Sequence, residues 1–196
     1  MSMIENLNDQ LFKTIREHDD EENINYESCI KTYVIVDAAR IKKLTNELIA
    51  LISLNYENLF MPHEQERLEE VAPYLVELKK EDDFTQWVYE NVYGKQGAIF
   101  IHSSKNIEEL AEHFRPYITS TIKMPNPKNE TELIETEAYM RLYDPRVFPL
   151  FNKQVKQKQE QFYSPLKSIY VENPQNEEEL LFYSQYKETI LNLKEL

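Results

Sequence analysis

The hydrophobic pattern first becomes clear at residues 33–36, an unbroken apolar run that Asp37 ends. A strand with polar residues on neither face is typical of a sheet that helices cover on both sides. Ile41, Leu44 and Leu48 then recur at three- or four-residue spacing, which predicts a helix whose apolar stripe packs on this sheet. The core therefore starts with a buried strand followed by a helix.

Turn and capping signals divide the next part of the chain into further elements. Asp83 with Gln86, and Asn106 with Glu109, have the spacing of a capping box, which predicts a helix start at each. The chain has only two glycines, and both lie in the turn between these helices, where a positive φ is expected. The predicted strands and extended segments lie near residues 56–60, 74–78 and 98–101.

Strand and helix alternate up to residue 115, which favours an α/β lobe with some parallel pairing. Pro116 is expected to end or kink the helix that starts at Asn106. After a strand near residues 139–143 the pattern is mostly helical, and the last helix is expected to open at Asn173-Pro174. The fold class is thus α/β (α+β): a mixed-sheet lobe with flanking helices (31–144), followed by a mainly helical lobe (145–196). An acidic segment (1–30) precedes both.

The charge balance limits the classes of partner. Thirty-five acidic and 22 basic side chains leave a net charge of −13, which argues against nucleic acid and anionic membranes. The start of the chain has no signal-peptide pattern, no window approaches the ~20 apolar residues of a membrane span, and one cysteine cannot form an internal disulfide. We therefore expect a cytoplasmic protein.

Few residues suggest catalysis or metal binding. His102 and Ser103 end a predicted strand, where open α/β sheets place ligands, but the chain has no glycine-rich phosphate loop and no Gly-x-Ser-x-Gly elbow. The four histidines and the cysteine form no paired metal-ligand spacing. We expect no catalytic residues, no metal and no cofactor, so the chain is predicted not to be an enzyme. A rival interpretation is an α/β enzyme that uses His102, Ser103 and Asp37.

Two short charged segments, 37–40 and 141–146, each follow an apolar run and predict a structural ion-pair network. Asp144 before Pro145 has the form of a helix N-cap with proline at the first helical position. Arginine stays protonated and is a poor general base, so carboxylates that face arginines are more often structural. The expected members of this network are Asp37, Arg40, Arg115, Arg141, Asp144 and Arg146.

A basic and aromatic stretch, residues 147–167, follows the second charged segment. Lysines outnumber acidic residues in this stretch of an otherwise acidic chain, which suits an acidic partner, while aromatic rings supply affinity. As an alternative, lysines on the solvated side of a helix are common. The expected partner-binding residues are Lys153, Lys156, Lys158, Phe162, Tyr163 and Lys167.

Four segments in order resemble the type VI secretion effector-chaperone (adaptor) family, long catalogued as a domain of unknown function. They are YVIVDAAR at 33–40, VAPYLV at 71–76, AIFIHSSKNIEELAEHFR at 98–115 and RLYDPR at 141–146, with Trp87 between the second and third. The resemblance implies an adaptor that binds the N-terminal region of a toxic effector and loads it onto the C-terminal region of the VgrG spike protein. A second rival, motivated by the charge, is an acidic inhibitor or immunity-type protein.

Overall fold

The computed structural model describes residues 3–12, 30–50, 54–154, 159–185 and 187–194. The helices of this described part are α1 (Met3–Leu11), α2 (Leu44–Ala50), α3 (Pro62–Leu68), α4 (Asp83–Asn91), α5 (Ile107–Ile118), α6 (Phe148–Gln154) and α7 (Gln159–Tyr163), with a 3-10 helix at Glu69–Val71. The strands are β1 (Lys31–Asp37), β2 (Tyr56–Asn58), β3 (Pro73–Leu78), β4 (Ala98–Ser103), β5 (Thr119–Asn126), β6 (Asn129–Tyr139), β7 (Ser168–Glu172), β8 (Glu179–Tyr183) and β9 (Glu188–Asn192). No helix among the described residues has both the length and the apolarity needed to cross a bilayer.

Seven strands form one sheet in the order β2-β3-β1-β4-β7-β8-β9, and β5 pairs only with β6. Nearly every residue of β1 and β4 is buried. Because successive side chains point to opposite faces, both faces of the sheet centre are covered. Helices and an antiparallel sheet among the described residues confirm the α+β class.

The expected mixed sheet is wrong, because every strand pairing in the described part of the chain is antiparallel. The strand–helix–strand unit β3-α4-β4 does join two parallel strands, since β3 and β4 both run antiparallel to β1. However, β1 lies between them, so they never pair. Alternating strand and helix patterns predict a connection between two parallel strands, but they do not show whether another strand lies between those two in the sheet.

The N-terminal helix α1 is part of the core. Leu7 and Leu11 are fully buried. The amide of Asn6 donates to the carbonyl oxygen of Leu193 (2.6 Å), and the hydroxyl of Thr32 donates to that of Leu11 (3.0 Å). Residues 13–29, which include the acidic run of the expected appended segment, lie outside the described residues.

The two helix starts predicted from capping boxes are correct to within one residue. Asn106 and Glu109 form the expected capping box of α5. The cap of α4 is Asp82 rather than Asp83, because the Asp82 carboxylate accepts from the backbone N–H of Phe84 (2.9 Å). Gly94 has the expected positive φ of 78°. Of the two expected effects of Pro116, ending the helix is wrong, because α5 runs past it to residue 118.

The C-terminal region is not mainly helical, which corrects the predicted helical lobe. After the short helices α6 and α7, strand β7 pairs with β4, and β8 and β9 extend the same sheet. Asn173 and Asn176 accept hydrogen bonds from the backbone two residues ahead (3.0 and 3.1 Å), and these turns connect β7 to β8. The sheet therefore crosses the boundary expected at residue 144.

A buried carboxylate fixes the turn that precedes β4. Glu172, on β7, is 4% exposed and accepts from the backbone N–H groups of Gly94 (3.0 Å) and Gln96 (3.1 Å). Burial raises the pKa of the Glu172 carboxyl to about 7, although these hydrogen bonds and the charge of Arg40 oppose the rise. The folded protein therefore takes up a proton at Glu172 near neutral pH.

We predict that Glu172 makes the protein less stable as the pH rises. Its folded pKa lies above its unfolded value, so its stabilising contribution is complete below about pH 4.5 and is lost through about pH 7. Glu172→Gln cannot ionise. At about 1.4 kcal/mol per pKa unit, its free energy of unfolding relative to wild type should rise by roughly 3 kcal/mol from pH 4.5 to pH 8. Urea unfolding at several pH values measures this difference.

The comparison with wild type cancels the titration of other groups, such as the buried imidazole of His102. Glu81→Gln is the matched control, because Glu81 is exposed and is not among the charges that act on Glu172. Its difference from wild type should not change with pH. A flat difference for Glu172→Gln as well would contradict the prediction.

Candidate partner-binding surfaces and the arginine corner

Five of the six predicted network residues group where β1 ends and the chain returns from β6. Arg40 acts on Asp144 through its charge, while its guanidinium Nε donates to the carbonyl oxygen of Lys95 (2.7 Å). We call Asp37, Arg40, Arg141, Asp144 and Arg146 the arginine corner. Asp37 is 1% exposed, and its carboxylate accepts from the guanidinium of Arg141, 104 residues away in the chain. The same carboxylate accepts from the backbone N–H of Ala39 (3.0 Å). Asp37 therefore joins the central strand to the start of residues 141–147.

Asp144 organises the turn that leads into α6. Its carboxylate accepts from the backbone N–H and the guanidinium Nε of Arg146 (both 2.9 Å), and its carbonyl oxygen accepts from the N–H of Phe148 (2.9 Å). Burial opposes ionisation, but the hydrogen bonds and charge of Arg146, helped by Arg40, hold the pKa of Asp144 below its ordinary value. The carboxylate thus accepts orphan donors as predicted, although the regular helix begins at Phe148.

Arg115 does not belong to this network, which corrects the prediction. Its guanidinium donates to the Glu57 carboxylate (2.9 Å) and to the carbonyl oxygen of Asn58 (3.2 Å), both on edge strand β2. The sequence shows that Arg115 ends a helical stripe, but not which carboxylate lies nearest in space.

The residues of the rival enzyme site lie far apart. His102 pairs with Thr32 across β1 and β4, and Asp37 lies five residues further along β1. At ~3.3 Å per residue the separation is about 16 Å, beyond the hydrogen-bond reach that a catalytic ensemble requires. These three side chains therefore form no common site.

His102 and Ser103 have structural hydrogen bonds instead. The His102 ring is 1% exposed, with Nε2 2.6 Å from the carbonyl oxygen of Leu11 and Nδ1 3.1 Å from the Ser168 hydroxyl. Burial lowers the pKa of His102 to about 4, so the ring is neutral at pH 7. The Ser103 hydroxyl donates to the carbonyl oxygen of Pro165 (2.5 Å). Both side chains join α1, β4 and the segment before β7.

The predicted basic and aromatic surface divides into two parts. Lys153 and Lys167 are exposed, whereas Lys156 and Lys158 lie outside the described residues. Phe162 and Tyr163 are 0% and 1% exposed, so the expectation that these rings face a partner is wrong. Phe162 packs in a cluster of rings, with centroids 5.0–6.3 Å apart, that holds α6 and α7 on α5: His113, Phe114, Tyr117, Phe151 and Tyr163.

Strands β5 and β6 form a hairpin outside the main sheet, which we call the arm. Ile122 and Met124 are 44% and 39% exposed and share a face with Ile134, the register partner of Met124. The opposite face carries Lys123 and Glu135, whose charged atoms are 3.7 Å apart. The arm thus has one apolar face and one charged face, and Leu133 is also exposed (63%) on the charged side. The sequence did not predict this division. Alternation in residues 119–139 was the available signal.

The charged face of the arm contacts the body at its base. The ring centroids of Tyr139 and Phe60 are 5.1 Å apart, and the Tyr139 hydroxyl donates to the carboxylate of Glu64 on α3. The backbone N–H of Met140 donates to the carbonyl oxygen of Ile118 (2.8 Å). The base is therefore fixed, while the apolar face remains exposed.

A surface cavity of about 320 Å³ lies beside edge strand β2. Tyrosine rings and carboxylates share its lining, which comprises Thr45, Leu48, Tyr56, Asn58, Gln65, Glu66, Glu69 and Tyr74. This mixture offers apolar contacts and hydrogen-bond acceptors beside the sheet edge, a lining that suits an extended peptide segment.

Comparison with known protein families gives one match. The model of a family described as a domain of unknown function (DUF4123) matches residues 32–162. No curated protein and no solved structure matches the chain. The matched range includes the sheet centre, the arm and the arginine corner.

We predict that Asp37 and Arg141 stabilise the fold as a pair. Asp37→Asn leaves a half-satisfied buried group and should lower the free energy of unfolding by about 1–3 kcal/mol. The loss stays below that of a fully buried pair because the Arg141 side chain is 43% exposed and water screens it. Arg141→Gln and the double variant complete a double-mutant cycle, with the free energy of unfolding measured by denaturant. The double variant should lose less of this free energy than the two single variants together.

The matched control is the arm pair Lys123 and Glu135, whose side chains are 68% and 67% exposed. Neutralising either should change the free energy of unfolding by less than about 0.5 kcal/mol. Additive effects of Asp37→Asn and Arg141→Gln would show that the two residues do not act together.

Proposed function

The chain belongs to this family, which is associated with chaperones and adaptors of type VI secretion effectors, and from that premise we propose that it loads an effector onto the VgrG spike protein. In this function the chain binds the N-terminal region of a cognate effector and the C-terminal region of VgrG in the cytoplasm. It contributes no catalysis of its own and binds neither nucleic acid nor membrane.

The family match is the observation that carries this proposal, because it covers most of the chain. Two features support a protein-binding role. The arm exposes apolar side chains outside the main sheet, and exposed apolar patches mark interaction sites. The polar atoms of His102 and Ser103 are occupied by contacts between elements.

Two surfaces are proposed for the partners. The apolar face of the arm suits an apolar strand or helix of a partner. Ile122 and Met124 are exposed for contact, and the ordered backbone of the arm limits the entropy lost on binding. The lysines of 153–158, together with Lys167, suit an acidic segment, because complementary charge steers encounter. We propose that effector and spike each use one of these surfaces.

The net charge of −13 favours an acidic inhibitor or immunity-type protein as the second candidate. The two functions differ in their partners. An immunity protein binds the toxic domain of the effector and abolishes its activity, whereas an adaptor binds both effector and VgrG and leaves the toxic domain active. Pull-downs with each partner separately, together with an effector toxicity assay, distinguish them.

We predict that the apolar face of the arm contributes to partner capture. Ile122→Thr with Met124→Thr should weaken the binding of one partner at least tenfold, because it removes apolar contacts from the face. Folding should be unaffected, since both side chains are substantially exposed and threonine suits a strand. Titration calorimetry with the effector N-terminal region and with the VgrG C-terminal region gives the two affinities.

Lys123→Thr is the matched control, because Lys123 lies between these two residues but on the charged face of the arm. It should leave both affinities within about twofold of wild type. Wild-type affinity of the Ile122/Met124 variant for both partners would exclude the arm from the interface.

We predict a salt-sensitive loss of binding when the lysines of 153–158 are reversed. Lys153→Glu, Lys156→Glu and Lys158→Glu together should weaken one partner complex at low salt, and the difference from wild type should shrink at high salt because ions screen exposed charges. Thermal unfolding checks that the variant is folded; at Lys153 the exposed charge should contribute little to stability. Pull-downs at both salt concentrations measure the effect.

The control carries the same change of net charge at three exposed lysines elsewhere: Lys42→Glu, Lys79→Glu and Lys187→Glu. If both triple variants lose binding equally, overall charge accounts for the effect. If neither loses binding, the lysines of 153–158 take no part in partner binding.

A further inference from the structure

Three potential metal ligands from distant parts of the sequence meet at the base of the arm. His63 and Glu64 are neighbours on α3, and Glu137 lies on β6. The Nε2 atom of His63 is 3.4 Å from the Oε1 atom of Glu137. One ligand atom from each of the three side chains lies within 4.8 Å of the others. The tertiary structure thus brings the carboxylate of Glu137 to the imidazole and carboxylate of the sequence neighbours His63 and Glu64.

Glu64 is an unusual member of this group because it is buried. Its side chain is 2% exposed. One carboxylate oxygen accepts from the Tyr139 hydroxyl and lies 3.6 Å from the Arg67 guanidinium, whereas the other, Oε2, is buried without a hydrogen-bond partner among the described residues. A buried carboxylate oxygen without a partner is costly. A bound cation would remove that cost.

We propose that His63, Glu64 and Glu137 bind a divalent transition metal, with Zn²⁺ the best fit. An imidazole with two carboxylates matches the ligands of Zn²⁺, whereas Mg²⁺ and Ca²⁺ prefer oxygen alone and Cu⁺ prefers sulfur. Bonds of 2.0–2.2 Å place tetrahedral ligand atoms about 3.3–3.6 Å apart, so the cluster needs to contract by roughly 1 Å.

The exposed ligands can make this adjustment. The side chains of His63 and Glu137 are 64% and 44% exposed, so they can change rotamer around the fixed carboxylate of Glu64. Three protein ligands leave a fourth position for water or for a side chain of another protein. The metal links α3 of the body to β6 of the arm, so its binding holds the arm in one orientation.

Titration calorimetry of untagged, chelator-treated full-length protein with ZnCl₂ tests the proposal. We expect one site per chain, and at least tenfold weaker binding for His63→Ala and for Glu137→Gln. Both substitutions are at exposed side chains, so the variants should fold, which thermal unfolding without metal checks. Glu135→Gln is the matched control, because it removes the same charge from the same strand outside the cluster, and it should bind Zn²⁺ as wild type does.

Cobalt provides a readout of the ligands themselves. Co²⁺ in a four-coordinate site with one nitrogen should give visible d–d absorption in wild type and in Glu135→Gln but not in His63→Ala. Absence of one-site Zn²⁺ binding to wild type would overturn the proposal. So would unchanged affinity in His63→Ala, which would place any bound metal elsewhere. Binding of Mg²⁺ or Ca²⁺ as tightly as Zn²⁺ would show an acidic pair without a role for His63.

Discussion

The ion pair between Asp37 and Arg141 constrains the rest of this fold. Asp37 ends the buried strand β1 and is itself 1% exposed, so its charge needs a partner inside the protein. That partner comes from the far side of the arm, 104 residues later. Once Arg141 is fixed on Asp37, the end of the arm, the turn at Asp144 and the start of α6 are fixed with it. One desolvated carboxylate therefore determines how the chain continues after the arm.

Buried polar groups elsewhere join elements in the same way. His102 joins α1 to β7, and Glu172 holds the turn before β4 through two backbone N–H groups. Burial lowers the pKa of His102 and raises that of Glu172, so both side chains are driven towards their neutral forms. A perturbed pKa in this protein thus marks contacts between elements, which is the structural explanation that competes with a catalytic one.

The protein-binding proposal depends on features outside this core. The arm leaves the main sheet and keeps one apolar face exposed, while its base contacts Phe60 and Glu64. A hairpin that is fixed at its base and exposed along one face can present ordered backbone to a partner at low entropic cost. The three ligands proposed for a metal lie at this base, so metal binding would act on the arm and not on the sheet.

Local sequence signals predicted local features well. The buried strand at residues 33–37, the capping box at Asn106 and the positive φ of Gly94 depend on neighbours in the chain, and all three were found. The expected C-terminal helix is wrong, because Leu180 and Tyr183 lie on β8 and Ile190 lies on β9. The competing signal was the asparagine turns after β7, and the pairing of β8 with β7 and of β9 with β8 decides the outcome.

The family resemblance and the members of the arginine corner were also available from the sequence, because each motif is short and ordered along the chain. Three features were decided only by tertiary structure: the insertion of β1 between β3 and β4, the burial of Phe162 and Tyr163, and the pairing of Arg115 with Glu57. The physical reason is the same for all three. The sequence fixes which side chains are apolar or charged, but which of them meet depends on contacts between residues far apart in the chain.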